Sequence, residues 1–213
     1  MEITIRNVRP SEYAEIEYMT REAFWNLYVP GCDEHYLVHV MRKHKDYIPE
    51  MEFIAAAEKK IVGSIIYTKS FLLDENDNRI ETLSFGPLCV RPGFQRKGIG
   101  AMLISFTKKI AETKDCPGIF IYGDPHNYCK NGFRNGKDCN VSDQNGKYPY
   151  GLLALILNKQ LFENGNRYRL YQSEVFNLDC SKAEEYDKQF PEKKKEYQYS
   201  QELFSIAIRA FLV

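Results

Sequence analysis

This chain of 213 residues lacks any charge of one sign in excess: 29 Lys and Arg stand against 29 Asp and Glu. A balanced charge argues against nucleic acid as the main partner, because that partner is held through phosphate neutralisation. No apolar run is long enough to span a bilayer and none stands at the start, so neither a membrane partner nor a signal peptide is expected. The six cysteines (32, 89, 116, 129, 139 and 180) include no Cys-x-x-Cys pair, so they read as reduced thiols of a cytoplasmic protein. Internal repeats and low-complexity stretches are missing as well. Metal ligands are sparse. His35 and His39 share a helical face, but Tyr36-Leu37-Val38 between them lacks the Glu of H-E-x-x-H, and both read as core or surface histidines. His126 with Cys129 and Cys139 offers too few donors, so no metal is expected.

The length suffices for one domain with a full core, or for one domain with an appendage. Met1 to Val8 alternates as a first strand, and Ser11 caps a helix with Tyr13, Ile16, Met19, Ala23 and Phe24 on one face. A loop over Trp25 to Asp33 leads to a helix from Glu34 to Lys45. Phe53 to Ala57 and Ile61 to Phe71 form a hairpin, and residues 74–78 a polar turn. A central strand runs from Ile80 to Val90, and a buried strand from Ile119 to Tyr122. A short helix is expected over Pro125 to Asn131, an apolar run over Leu152 to Leu157, and a late strand over Tyr168 to Leu178. The composition then changes. Lys182 to Glu196 is highly charged and reads as helix, turn at Pro191, then a solvated face, and Tyr199 to Val213 has near-helical apolar spacing. The boundaries place a domain at 1–178 and an extension at 179–213 that packs on it or on a partner subunit.

The stretch LSFGPLCVRPGFQRKGIGAMLI, Leu83 to Ile104, organises the rest. A strand ends at Arg91-Pro92-Gly93, since Pro lacks the amide a central strand needs. Gln95 to Gly100 then opens a helix whose expected apolar face is Ile99, Met102, Leu103, Phe106 and Ile110. Gly98 and Gly100 expose backbone amides where a helix leaves its first N–H groups unpaired. Those amides, the helix dipole and the charges of Arg96 and Lys97 make a cradle for a pyrophosphate. The dinucleotide pattern G-x-G-x-x-G is absent, and no Lys-Ser/Thr follows Gly98 as a P-loop requires, which disfavours a nucleotide-binding α/β protein.

Gln95, Gly98 and Gly100, preceded by Val90-Arg91-Pro92, match Q/R-x-x-G-x-G/A and the V-x-P turn before it. In this the chain resembles the GNAT N-acetyltransferases, whose coenzyme A pyrophosphate lies on that signature. The order β-α-α-β-β-β-α-β-α-β over residues 1–178 is similar too. The resemblance implies an α/β fold with a mixed, twisted sheet flanked by helices, splayed between strands 4 and 5. Gly123-Asp124-Pro125, Tyr128 and Gly132-Phe133 resemble a bacterial branch with G-D-P-x-Y-Y-x-R-F-G-F. Here Asn127 replaces the first Tyr, Lys130 the Arg and Asn131 the first Phe.

The resemblance implies acetyl-CoA as cosubstrate and direct attack by a primary amine, from a small molecule or a peptide, on a monomer or homodimer. Leu88, Cys89 and Val90 would pair with the pantetheine arm, and Gln95, Arg96, Lys97, Gly98, Ile99, Gly100 and Ala101 would hold the pyrophosphate. Tyr128 stands where family members often carry the acid for the departing sulfur, although a half-buried packing Tyr reads equally well. Asp124 and Asn127 are its neighbours, near cofactor or amine. The base stays open. Many relatives place a Glu on strand 4 where this chain has Ser84, and Glu81 faces the other way on an unbulged strand. Asp124 or a water chain are the alternatives. Trp25, Tyr28, Asp33 and Glu34 could stack against and attract a cationic amine, or Trp25 could seal a core edge. Cys89, with apolar neighbours, reads as a small buried hydrophobe. The rival to an enzyme is a non-catalytic acyl-CoA-binding module on the same fold, favoured by the missing strand-4 Glu.

Overall fold

Apolar and β-branched runs between polar turns become strands here, and stripes repeating every three to four residues become helices. The computed structural model describes residues 2–163 and 165–213. In chain order they form β1 (Thr4–Asn7), α1 (Tyr13–Phe24), α2 (Glu34–Met41), β2 (Phe53–Ala57), β3 (Lys60–Leu73), β4 (Arg79–Val90) and α3 (Ile99–Thr113). There follow β5 (Gly118–Tyr122), α4 (Pro125–Tyr128), β6 (Arg134–Asn135), β7 (Val141–Ser142) and β8 (Leu152–Ile156). The chain ends with α5 (Lys159–Phe162), β9 (Tyr168–Tyr171), α6 (Cys180–Asp187) and α7 (Tyr199–Ala207). The architecture is α/β, with strands paired both parallel and antiparallel. Contacts divide it into two units: Met1–Tyr67, Gly86–Phe106 and Glu174–Phe204, and Thr68–Phe85, Thr107–Ser173 and Ser205–Val213.

In the first unit β1 pairs antiparallel with β2, and β2 with β3 across a bulge at Ala55 and Ala56. Helices α1 and α2 bring Ile16, Met19 and Val38 against Ile54, Ile61 and Cys89. Leu37 and Met41 of α2 pack with Ile66 and Val175. Each such buried aliphatic side chain contributes about 1.5–3 kcal/mol. Among them sits a charged network. The Arg42 guanidinium lies 2.9 Å from Glu17 and 2.7 Å from Glu52, and the Tyr186 hydroxyl donates to Glu17 at 2.6 Å. Helix α3 begins over Gly63, where an added Cβ would stand 2.9 Å from Ile99 Cγ2 and 3.3 Å from Leu103 Cδ1.

That close approach corrects the expected face of α3. The buried stripe is Ile99, Leu103, Ile104, Thr107 and Ala111, while Met102 and Phe106 are 40% and 38% exposed. Ile99 and Leu103 belong to both stripes, and their seat at Gly63 selects the one that repeats every four residues. Ile110 is left half-buried, and Phe106 reaches only the edge of Phe53, centroids 5.2 Å apart.

The second unit pairs β5 antiparallel with β8 over Gly118–Tyr122, β8 with β6, and β9 with β3 and β7. Its core is Leu72, Phe120, Val141, Leu152, Ala154, Phe162, Tyr168 and Leu170. The parallel β4–β5 ladder consists of one register pair, Leu83 opposite Ile119. So short a ladder is the splay that the resemblance implied at strands 4 and 5.

Several boundaries differ from the expectations. Ser11 lies in a 3-10 turn, Pro10–Glu12, ahead of α1 and does not cap it, α2 ends at Met41 and not at Lys45, and the short helix ends at Tyr128, with a 3-10 turn over Cys129–Asn131. The late strand stops at Tyr171, and a 3-10 turn at Glu174–Phe176 carries Val175 into the core with Leu37 and Met41. The charged tail helix covers only Cys180–Asp187, capped by Asp179, which accepts from the amides of Ser181 and Lys182. The last helix ends at Ala207, after which Tyr150 donates to the Ala210 carbonyl at 2.9 Å and Leu212 to that of Tyr148 at 2.8 Å. The two-residue strands β6 and β7 are too short to leave any periodicity in the sequence.

Candidate functional site

The loop from Arg91 to Gly98 is built to present the start of α3. Arg91 is an anchor: its amide donates to Val62 O at 2.9 Å, its Nε to Ile61 O at 2.7 Å, and its guanidinium meets Glu15 at 2.8 Å. Gln95 Nε2 donates to Val90 O at 3.2 Å, tying the loop to the end of β4. Gly98 takes a φ of +82°, a conformation a side chain would strain. The first helix amide to find a carbonyl is that of Met102, which donates to Gly98 O at 3.0 Å. Before it, the N–H groups of Gly98, Ile99, Gly100 and Ala101 donate to no group among the described residues. No acidic residue stands in that first turn.

Charge adds to the unpaired donors. Arg96 and Lys97 are exposed beside the turn, with Lys97 Nζ donating to Gly93 O at 2.8 Å and lying 5.2 Å from the Phe94 ring centre. Beneath the helix start lie Leu88 and Val90, whose methyl carbons would be 3.6 and 3.9 Å from a Cβ on Gly100. Cys89 points the other way. It is 1% exposed, its thiol faces Met19 O at 3.6 Å, and burial raises its pKa to about 12. That is a packing environment, not one that activates a nucleophile. The whole arrangement offers a multiply charged anion backbone donors, the helix dipole and two cations.

In the second unit Tyr128 ends α4 half-buried, its ring 5.9 Å from Phe85 and 5.8 Å from Phe133. Gly123 makes room for it, since a Cβ there would stand 2.5 Å from Tyr128 Cε2. Asp124 caps α4 by accepting from the His126 amide at 3.0 Å, and Asn127 is exposed, its carbonyl accepting from Asn131 at 3.2 Å. Ser84 is fully buried, donates to the Phe120 carbonyl and accepts from Gln172. Its hydroxyl therefore bridges β4 and β5 beside their short ladder. Glu81, 63% exposed, pairs with Arg79 at 2.6 Å. Within this unit the structure brings Tyr128 together with Gly123 and Phe133.

In the first unit the loop from Trp25 to Asp33 is closed by the tail. Asn26 exchanges bonds with Gly31, its amide donating to Gly31 O and its Oδ1 accepting from the Gly31 amide, both at 2.8 Å. Trp25 Nε1 and Asn26 Nδ2 both donate to the Lys194 carbonyl, at 3.0 and 3.1 Å. Tyr28 packs on Phe204, ring centres 4.6 Å apart. The Arg21 guanidinium covers the Trp25 ring at 4.2 Å and is held by Asp187, which accepts from its Nε at 2.6 Å and Nη2 at 3.1 Å. His35 Nε2 lies 3.1 Å from the same carboxylate, and its Nδ1 is 3.4 Å from Cys32 Sγ. Burial lowers the His35 pKa, so the ring is neutral here.

The two acids of this loop part company. Asp33 takes a hydrogen bond from the Cys180 thiol and feels Lys195, while burial raises its pKa. Glu34, on the first turn of α2, accepts the Asp33 amide at 3.2 Å, and burial, aided by the Asp33 charge, pushes its pKa up from an ordinary 4.5 to about 7. A raised carboxylate contributes stability below its unfolded pKa of about 4.5 and loses it as pH rises through about 7. A Glu34→Gln chain is therefore expected to melt with the parent at pH 4. At pH 8 it should melt roughly 6–12 °C higher, for about 3 kcal/mol. Equal melting temperatures at pH 8 in a calorimetric scan would refute the raised value.

Asp187, Arg21 and the tail contacts went unnoticed in the sequence, and nothing in it signals partners 166 residues apart. Among the described residues no group of three or more His, Cys, Asp and Glu could hold a metal, and no helix is long and apolar enough to cross a membrane.

The family model of the acetyltransferase (GNAT) family matches residues 19–133, and the chain belongs to that family. It is 29% identical over 85 residues to the uncharacterized N-acetyltransferase YjhQ of Escherichia coli, covering 40% of this chain. The match spans 46% of that relative, about half its length. In fold it is similar to the GNAT N-acetyltransferase YhbS of Escherichia coli in complex with CoA. The TM-score is 0.71 at 17% identity, over 84% of this chain and 93% of that one. A GNAT acetyltransferase of Brucella melitensis in complex with acetyl-CoA gives a TM-score of 0.64 at 20% identity, over 82% and 98%.

Proposed function

We propose that this chain is an N-acetyltransferase that moves the acetyl group of acetyl-CoA to a primary amine by direct attack within a ternary complex. The observation that carries the proposal is the set of unpaired amides from Gly98 to Ala101, flanked by Arg96 and Lys97, in a chain of this family. Relatives of the same fold hold CoA and acetyl-CoA. In this reading Gln95 to Ala101 take the pyrophosphate, the backbone of Leu88 to Val90 pairs with the pantetheine arm, and Tyr128 gives a proton to the departing sulfur. Residues 1–178 are the catalytic domain and 179–213 its extension. The acceptor is the amine of a small molecule or a peptide. Calorimetric titration with acetyl-CoA, followed by thiol release from a panel of primary amines (a diamine, an arylalkylamine, an amino-acid amide and a tetrapeptide), tests it. Micromolar binding with turnover of one amine supports the reading, and no binding of acetyl-CoA or CoA sinks it.

A binding module without catalysis is the second reading, and it is favoured by Ser84, whose buried hydroxyl is fully engaged and supplies no base on β4. Tyr128→Phe separates the two. An enzyme is expected to lose roughly 10²-fold or more in kcat while its acetyl-CoA affinity stays within about twofold. If Tyr128→Phe keeps full kcat, the phenol is a packing group and not the acid.

A further inference from the structure

We propose that the cavity beside α4 and β6 is a binding site for a free α-amino acid with an apolar side chain. The inference concerns binding alone and stands whether or not the chain transfers acetyl groups. The cavity lies wholly within the second unit and holds about 560 Å³. Small-molecule sites hold roughly 300–1,000 Å³. Its walls are apolar, formed by Phe133, Leu153, Tyr150 and Leu212. Phe133 and Leu153 are buried, whereas Tyr150 and Leu212 are 41% and 40% exposed. Two large side chains left open around one hollow are what an apolar group would cover.

Charge sets the class of ligand. Arg134 and Asp138 line the same cavity four residues apart, and both are exposed. Neither side chain has a hydrogen bond or ion pair among the described residues, not even with the other. Arg79 and Arg169 of the same unit, by contrast, pair with Glu81 and Asp77. A simple carboxylate in the cavity would meet the like charge of Asp138, and a simple ammonium that of Arg134. A zwitterion suits both: its carboxylate accepts from the Arg134 guanidinium, and its ammonium donates to the Asp138 carboxylate. The apolar side chain then lies on Phe133 and Leu153, covered by Tyr150 and Leu212.

The frame is held without a ligand. Arg134 and Asn135 pair with Ala154 and Leu153 of β8. The Asn135 side chain donates to the carbonyls of Pro149 and Tyr150 at 3.0 and 3.1 Å and accepts from the Lys137 amide at 2.9 Å. The Leu212 amide, bonded to the Tyr148 carbonyl, seats the Leu212 side chain at the rim. Pro125 and Cys129, one turn apart, line the cavity, while Asn127 falls between them on the opposite face of α4.

Calorimetric titration of the full chain with leucine, phenylalanine, glycine, phenylalaninamide and N-acetylphenylalanine tests the site. Leucine and phenylalanine are expected to bind with a Kd below about 1 mM. Glycine lacks the apolar group and should bind roughly 10-fold more weakly or worse. Phenylalaninamide lacks the carboxylate and N-acetylphenylalanine the ammonium, and each should lose roughly 10-fold or more. Arg134→Gln should bind phenylalanine no better than the parent binds the amide, and should then lose little more when amide replaces acid. Asp138→Asn should be indifferent to N-acetylation in the same way. Both positions are exposed, so both variants should melt within about 2 °C of the parent. No saturable binding of leucine or phenylalanine at about 10 mM overturns the site. Binding that neither variant weakens places the amino acid elsewhere and overturns it as well. N-acetylphenylalanine binding as tightly as phenylalanine would overturn the zwitterion in favour of a simple carboxylate.

Discussion

A Gly98→Glu chain is expected to fold and to lose acetyl-CoA affinity by at least about 100-fold, equivalent to ~2.7 kcal/mol. Space is not the obstacle, because a Cβ at Gly98 meets nothing within 4 Å. The φ of +82° costs a side chain about 1 kcal/mol. A carboxylate there can itself accept from the open amides of α3, which returns about 0.5–2 kcal/mol as a helix cap. Folding is thus nearly indifferent, while the donors are occupied and the incoming pyrophosphate meets a like charge. Gly100→Glu should do the same, since its Cβ would make ordinary contacts with Leu88 and Val90. Gly98→Ala is the control: it carries the strain but leaves the amides open, and should bind within several-fold of the parent. Calorimetric titration beside a melting scan checks all three. Micromolar binding retained by a folded Gly98→Glu chain would mean that the anion does not sit on α3.

The strand, turn and helix start around Gly98 were legible because their information is local. Val90-Arg91-Pro92, Gln95, Gly98 and Gly100 lie within a dozen residues, and strand, turn and helix start each carry their own signal in residue type. The hairpin of β2 and β3 and the bounds of β5 were legible for the same reason. What failed depended on what the chain meets in space. The face of α3 was decided by Gly63 on another element, and the late strand ended where Val175 found a core. The loop from Trp25 to Glu34 reads in sequence as an aromatic and acidic lip. Its separation into a tail-bound Asp33 and an inward Glu34 follows from Cys180, Lys195 and Cys89, which no window of sequence brings together. A raised carboxylate is likewise a property of surroundings, so Glu34 and Glu81 look equivalent until the fold is known.

Asp187 shows how much can hang on a residue that sequence alone leaves anonymous in a charged stretch. Replacing it with Ala is expected to destabilise the protein by roughly 3–5 kcal/mol and lower its melting temperature by about 10 °C. Arg21 is 1% exposed and donates both of its charged hydrogen bonds to Asp187, so the substitution leaves a buried guanidinium without a counterion. Arg21 Nη1 already has no partner among the described residues, so the site has no spare acceptor to offer. Because the penalty comes from the orphaned charge, Arg21→Met combined with Asp187→Leu should recover most of the stability. His35 loses the same carboxylate, and the start of α2 that carries Glu34 loses one of its ties to the tail. Melting scans of the single and double variants measure this. A single variant that melts with the parent would show that the Arg21–Asp187 pair contributes nothing net.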